Sequence, residues 1–289
     1  MTSFKIVLKP IFLILYLLII LEGSYLATDG FRLYKIQNRL TQEAVLNNIE
    51  DPIEKILNQK FKYFSKGCQT YVFESLDKNY VLKFIRYNRY EIPLWVKFQN
   101  FDFEYKNRRN FYKKKLLDTS LNSYKIAIDE LKDETQIIYV HLQKTDNLTK
   151  DFQIIDKLNR EFFIDLNDFG FVIQKKAVPL YQFLKENKKN IFLLKNIMDS
   201  YLETTSKIYD KNIINDDYNS LKNAGVIDNT VYHIDLGSFV KKENLNTKNE
   251  YSYEINRFMN HLKKWTLKNI PEISFYLDQQ ITKRKNEKN

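Results

Sequence analysis

Three residues have the types and spacing that phosphate chemistry needs. Asp217 lies in Ile214-Asn215-Asp216-Asp217-Tyr218-Asn219, Asn223 follows six positions later, and Asp235 ends the apolar run Val231-Tyr232-His233-Ile234 before Leu236-Gly237. Mg²⁺ takes hard oxygen ligands, often one carboxylate with an amide oxygen, while a second carboxylate orients an attacking hydroxyl. Other chemistries have weaker support. Cys68 is the single cysteine, so the chain makes no internal disulfide and no cysteine-based zinc site. His141, His233 and His261 lie far apart in sequence, and no Gly-x-Ser-x-Gly accompanies them.

The elements that must carry these residues can be read from periodicity. In 191–209, Leu194, Ile197, Met198, Tyr201, Leu202, Thr205 and Ile208 share one helical face, and this helix delivers the chain to Asp217. Upstream, 61–85 alternates with period two around Gly67 and the turn Leu76-Asp77-Lys78-Asn79, which predicts three short antiparallel strands. Lys83 lies in the third, on the opposite face from Leu82 and Phe84. A helix over 124–134 and a strand over 136–142 follow. A further helix spans 251–267 through Ile255, Phe258, Met259, Leu262 and Trp265, and 283–289 reads as a frayed basic tail.

Composition bounds the rest. The chain has 289 residues, 44% hydrophobic and 28% charged, enough for one large domain or two lobes with a real core. A net charge of +10 permits an anionic partner, although the lysines are spread along the chain rather than gathered in a patch. Basic and aromatic residues do interleave over 103–115. That composition suits nucleic acid or lipid head groups, with a basic helix face favoured over both, so nucleic acid is not the expected partner. At the N-terminus, 10–21 is free of charge and follows Lys5 and Lys9. This is the layout of a signal peptide, but no good cleavage site follows, so a single membrane anchor is expected, with an exported protein as the alternative and the side of the membrane left open.

These blocks resemble the protein-kinase-like superfamily. The three strands with Lys66-Gly67-Cys68-Gln69 and Lys83 are similar to its N-lobe, Phe171-Val172-Ile173-Gln174-Lys175 to its fifth strand and hinge, and 212–239 to its catalytic and metal-binding segments. The resemblance covers about 61–265. It is fainter toward lipopolysaccharide and small-molecule kinases, and toward membrane-linked kinase-like proteins of chlamydia-related bacteria. It implies a two-lobed α+β fold, with an antiparallel-sheet N-lobe and a mainly helical, abbreviated C-lobe behind an N-terminal hydrophobic helix. The implied segments are an anchor or signal peptide over 1–28, a helical linker over 29–60, an N-lobe over 61–174 with an insertion at 86–118, a C-lobe over 175–282 and the basic tail.

The resemblance also implies roles. Asp217 would be the catalytic base, Asn223 and Asp235 the Mg²⁺ ligands, and Lys83 the contact to the ATP phosphates under Lys66, Gly67 and Gln69. The hinge backbone from Gln174 would meet adenine. Glu130 would pair with Lys83, with Asp129 and Glu134 as rivals. The chain departs from the family pattern in several places. Its loop has one glycine where protein kinases carry three. Asn-Asp-Asp stands where His-Arg-Asp is usual, leaving Asp216 as a rival to Asp217. The Asp-to-Asn spacing is six rather than five, and no Ala-Pro-Glu follows. An ATP-dependent phosphotransferase acting on an unidentified hydroxyl is therefore weighed against a pseudokinase tethered to a membrane, and against a basic α+β protein that binds anionic lipid or RNA.

Overall fold

The computed structural model describes residues 2–39, 51–93, 96, 102–245 and 247–287. Helix α1 spans Thr2–Thr28 and α2 spans Asp51–Leu57. Three strands follow: β1 Phe61–Lys66, β2 Thr70–Ser75 and β3 Tyr80–Ile85. Helix α3, Phe103–Glu130, and the short α4, Lys132–Thr135, lead into β4, Ile137–His141. Next come β5 Phe152–Ile155, β6 Glu161–Ile164, β7 Phe171–Lys175 and β8 Val178–Pro179. Helices α5, Leu180–Glu186, and α6, Ile191–Asp210, precede β9 Ile213–Asn215, β10 Ala224–Ile227, β11 Thr230–His233 and β12 Phe239–Lys241. Helices α7, Lys248–Asn269, and α8, Pro271–Glu287, complete a mixed α+β chain. It divides into two units, Met1–Glu91 with His141–Phe171, and Ile92–Val140 with Val172–Asn289.

In the first unit the strands run in the order β3-β2-β1-β5-β6. The β1–β2 and β2–β3 pairs are antiparallel, as expected, whereas β1 and β5 are parallel. Lys83 pairs with Val72 and shares a face with Val81 and Ile85, both buried, so its strand is covered on both sides. Phe31, Tyr71, Phe73 and Phe84 form the core, linked by edge-on ring contacts at 5.3 to 5.5 Å.

Helix α1 ends where Asp29 and Gly30 turn left-handed, at φ 49° and 69°, and Gly30 N–H donates to the Tyr25 carbonyl at 2.8 Å. A Cβ at Gly30 would meet the Tyr25 ring at 2.3 Å, so glycine is required there. The structure gives the anchor expectation no support. Among the described residues no helix is long and apolar enough to cross a membrane. The uncharged run of twelve residues rises only about 18 Å as a helix, against roughly 30 Å of hydrocarbon. The end of α1 is instead fastened to the sheet. Lys66 Nζ bonds Tyr25 Oη and the Asp29 carbonyl, both at 3.0 Å, and Lys157 pairs with Asp29 at 2.9 Å. Of the linker helix expected over 29–60, Leu40, Ala44, Val45 and Ile49 lie outside the described residues. Its later part is α2, where Ile53, Ile56 and Leu57 are buried.

In the second unit α6 buries the face predicted for it, from Leu194 to Ile208. Asn190 caps its start, its side chain accepting from Leu193 N–H at 3.1 Å. Two small ladders flank the segment it delivers, β12 with β9 and β11 with β10 and β8, all antiparallel. The insertion expected at 86–118 is not separate from the helix after it. From Phe103 onward it is the first half of α3, a single helix of 28 residues. Of the basic tail, the described part, 283–287, is helical. Helix α8 runs to Glu287, with Pro271 at its first position and Ile273, Leu277 and Ile281 buried at every fourth residue.

Candidate active site

Asp217, Asn223 and Asp235 are brought together in the second unit by backbone hydrogen bonds. The β9–β12 ladder sets Asn215 opposite Phe239, and Asp216 N–H donates to the Ser238 carbonyl at 2.8 Å. The chain entering the Asp217 loop is therefore tied to the chain leaving Asp235. Within the loop, Asn215 is buried and its Oδ1 accepts from Asp217 N–H at 3.0 Å. The Asp217 carboxylate caps the next turn, accepting from Asn219 N–H at 3.0 Å. The Asn219 carbonyl then accepts from Lys222 and Asn223 N–H groups, at 2.9 and 3.0 Å. This turn absorbs the extra residue between Asp217 and Asn223.

Asn223 joins the backbone at Asp217 to the backbone at Asp235. Its Nδ2 donates to the Asp217 carbonyl at 3.0 Å, and its own carbonyl accepts from Ile234 and Asp235 N–H groups, at 2.8 and 3.3 Å. An amide has donors on one side and an acceptor on the other. With Nδ2 committed to Asp217, Oδ1 is the side-chain atom of Asn223 that could act as an oxygen ligand. Asp235 accepts from Gly237 N–H at 3.3 Å, which holds one carboxylate oxygen in an Asx turn. Two protein oxygens suit Mg²⁺, which keeps waters and takes its remaining ligands from phosphate. Among the described residues no group of three or more His, Cys, Asp and Glu side chains is arranged to hold a metal.

Asp216 and Asp217 differ in their partners. Asp216 accepts from Tyr218 Oη at 2.7 Å and pairs with Arg257 at 3.8 Å. Asp217 has no ion pair among the described contacts and carries the backbone link to Asn223.

The remaining predicted residues are placed as follows. Gln174 is buried in β7, and its Nε2 donates to the Thr135 carbonyl at 2.5 Å and to the His233 carbonyl at 3.2 Å. It therefore steadies the strand that leads to Asp235. Glu130, assigned to Lys83 by the resemblance, is ion-paired with Lys241. Glu134 is buried and pairs with Lys211 at 2.6 Å, and Asp129 is exposed. Lys83, Lys66, Gly67 and Gln69 belong to the first unit. There the β1–β2 turn is closed by Gly67 N–H to the Thr70 carbonyl at 2.9 Å, and Arg86 Nη1 donates to the Gly67 carbonyl, also at 2.9 Å. A Cβ at Gly67 would meet nothing closer than 3.5 Å, so the turn itself does not demand glycine.

Sequence reasoning missed Ser123. It is fully buried in α3, and its Oγ donates to the Leu236 carbonyl and accepts from Phe239 N–H, both at 2.6 Å. One hydroxyl thus closes the loop after Asp235. Nothing local announces this, because the partners lie more than a hundred residues away.

His233 supports the same strand from below. It is buried among Tyr201, Phe239 and Phe258, stacked on Phe258 at 5.4 Å, and neither ring nitrogen has a hydrogen-bond partner. Burial pushes its pKa down to about 3. The folded state therefore refuses a proton that the unfolded chain accepts below roughly pH 6.5, and stability falls as pH drops through that window. From pH 8 to pH 5 the loss from this one group is about 2 kcal/mol. His233→Phe fills the same slot without titrating. Urea unfolding should show the variant losing about 2 kcal/mol less than the wild type over that pH range; equal losses would contradict the assignment.

No family model matches the chain, and no curated protein matches it. Solved structures of WbdD are similar at a low level. One has a TM-score of 0.41 at 15% identity, covering 79% of this chain and 46% of that one. A structure described as the bifunctional kinase-methyltransferase WbdD has a TM-score of 0.40 at 15% identity, covering 76% and 43%. A complex of WbdD with the kinase inhibitor LY294002 has 0.38 at 14%, covering 78% and 46%. The chain spans less than half the length of these proteins.

Proposed function

We propose that this chain is a kinase-like protein that binds ATP with Mg²⁺ and transfers the γ-phosphoryl group to a hydroxyl acceptor. The observation that carries this reading is Asn223, whose side chain holds the Asp217 carbonyl while its backbone holds Asp235. Phosphoryl transfer needs little covalent help from the protein beyond positioning and charge neutralisation, and these residues supply both. Asp217 would orient the acceptor hydroxyl and receive its proton as the new oxygen–phosphorus bond forms and ADP leaves. Asn223 and Asp235 would hold Mg²⁺, which neutralises phosphate charge when bound. Lys83, with Lys66, Gly67 and Gln69, takes the phosphate-contacting role on the strength of the resemblance.

A second reading, nucleotide binding without turnover, is favoured by Asn215-Asp216-Asp217 standing where His-Arg-Asp is usual. ADP release from the purified chain with ATP and Mg²⁺ separates the two. Magnesium-dependent release supports the kinase reading. Nucleotide binding with no release supports the second, and the absence of both removes the two together.

A further inference from the structure

One side chain grips both neighbours of Asp217. Arg257, in α7, lies over the Tyr218 ring with its guanidinium carbon 3.6 Å from the centroid, and donates to Tyr218 Oη. It also faces the Asp216 carboxylate at 3.8 Å. Tyr218 closes the arrangement by donating to Asp216 at 2.7 Å. Behind it stands Glu254, one turn earlier on α7 and only 1% exposed, which pairs with Arg257 at 2.5 Å and with Lys242 at 2.6 Å. Lys242 follows β12, and its N–H donates to the Asn212 carbonyl just before β9. Arg257 is thus anchored on a buried carboxylate that is itself tied to the ladder flanking the loop.

This arrangement matches what arginine does and lysine does not. A planar guanidinium can stack on an aromatic ring and bond carboxylates along its edge at once, whereas an ammonium offers a single point of charge. We infer that Arg257 is the positioning residue of the Asp217 loop, fixing Asp216 and Tyr218 so that Asp217 alone is presented to the acceptor. This rests on the phosphotransferase reading above. The other charged groups facing Arg257 are Glu254 and Asp216, and the nearby Tyr253 ring lies 5.8 Å from it.

The test is steady-state ADP release by the wild type, Arg257→Lys, Arg257→Gln and Tyr218→Phe, each checked for a cooperative thermal transition. Misplacing the loop should lower kcat about 10- to 100-fold in Arg257→Gln, with KM for ATP changed by less than about twofold, because nucleotide contacts lie elsewhere. Arg257→Lys should not restore kcat. Tyr218→Phe keeps the stacked ring and loses only the hydroxyl bonds, so it keeps the readout available if Arg257→Gln does not fold; it should show a smaller fall in kcat at unchanged KM. Full kcat in a folded Arg257→Gln variant, or in Tyr218→Phe where that variant fails to fold, overturns this inference while the phosphotransferase reading stands. A wild type that releases no ADP overturns both.

Discussion

Asp217→Asn is expected to lower turnover by about 10²- to 10⁴-fold, the range associated with loss of a general base. The substitution is chosen for what it keeps. An asparagine still offers Oδ1 to Asn219 N–H, and the backbone bonds from Asn215 and to Asn223 do not involve the side chain lost. The loop should therefore hold its shape, and stabilisation by ATP with Mg²⁺ should be retained. Asp216→Asn serves as the comparison. Asp216 is engaged with Tyr218 and Arg257, so its effect should be smaller and should act through the loop. Equal losses in the two variants would contradict the assignment of the base to Asp217.

Glu254→Ala is expected to destabilise the protein by about 3–5 kcal/mol, the cost of removing one partner of a buried ion pair. The magnitude follows from burial. Glu254 is 1% exposed between Lys242 and Arg257, and its hydrogen bond raises the Lys242 pKa. Removing it leaves Lys242 with Glu250 and Arg257 with only the more distant Asp216. Glu203, which pairs with Lys207 on the surface of α6 at 2.8 Å, is the control. Both side chains of that pair are more than half exposed, and Glu203→Ala should cost about 1 kcal/mol or less. Chemical denaturation of the two variants checks the contrast, and similar losses would mean that Glu254 is not held as described.

Much of the architecture was legible from period alone. The strands around Gly67 and the helix before Asp217 bury the residues their patterns predict, and the helix over 251–267 buries Ile255, Phe258, Met259 and Leu262 but leaves Trp265 half-buried. Three features were not legible. Helix α3 begins in a polar, basic stretch without a stripe, so its first half read as an insertion. The hairpin of β5 and β6 turns through Asn159 at φ 59°, and its short strands carry little alternation. Helix α8 was hidden by its charged end, although Pro271 and the four-residue spacing of Ile273, Leu277 and Ile281 marked it.

The site shows the same division. Asp217, Asn223 and Asp235 stand out by residue type, and hydrogen bonds to the backbone tie Asn223 to both aspartates. What holds them does not stand out in the sequence. Ser123 reaches Leu236, and Arg257 reaches Tyr218, across distances in sequence that no local pattern spans. The Glu254–Arg257 spacing of three on a helix was visible, but it reads equally as an ordinary surface pair.

The central claim is that Asn223 and Asp235 hold Mg²⁺ for a bound nucleotide. Thermal unfolding of the wild type and Asp235→Asn, with ATP in the presence and absence of Mg²⁺, tests it most directly. With ATP at a hundred times its dissociation constant the wild type should gain about 2.7 kcal/mol, several degrees in midpoint, and only when Mg²⁺ is present. Asp235→Asn keeps the acceptor for Gly237 N–H and removes the charge, so it should fold and lose the magnesium-dependent gain. A wild type indifferent to ATP and Mg²⁺, or a variant that gains as much as the wild type, would contradict the claim.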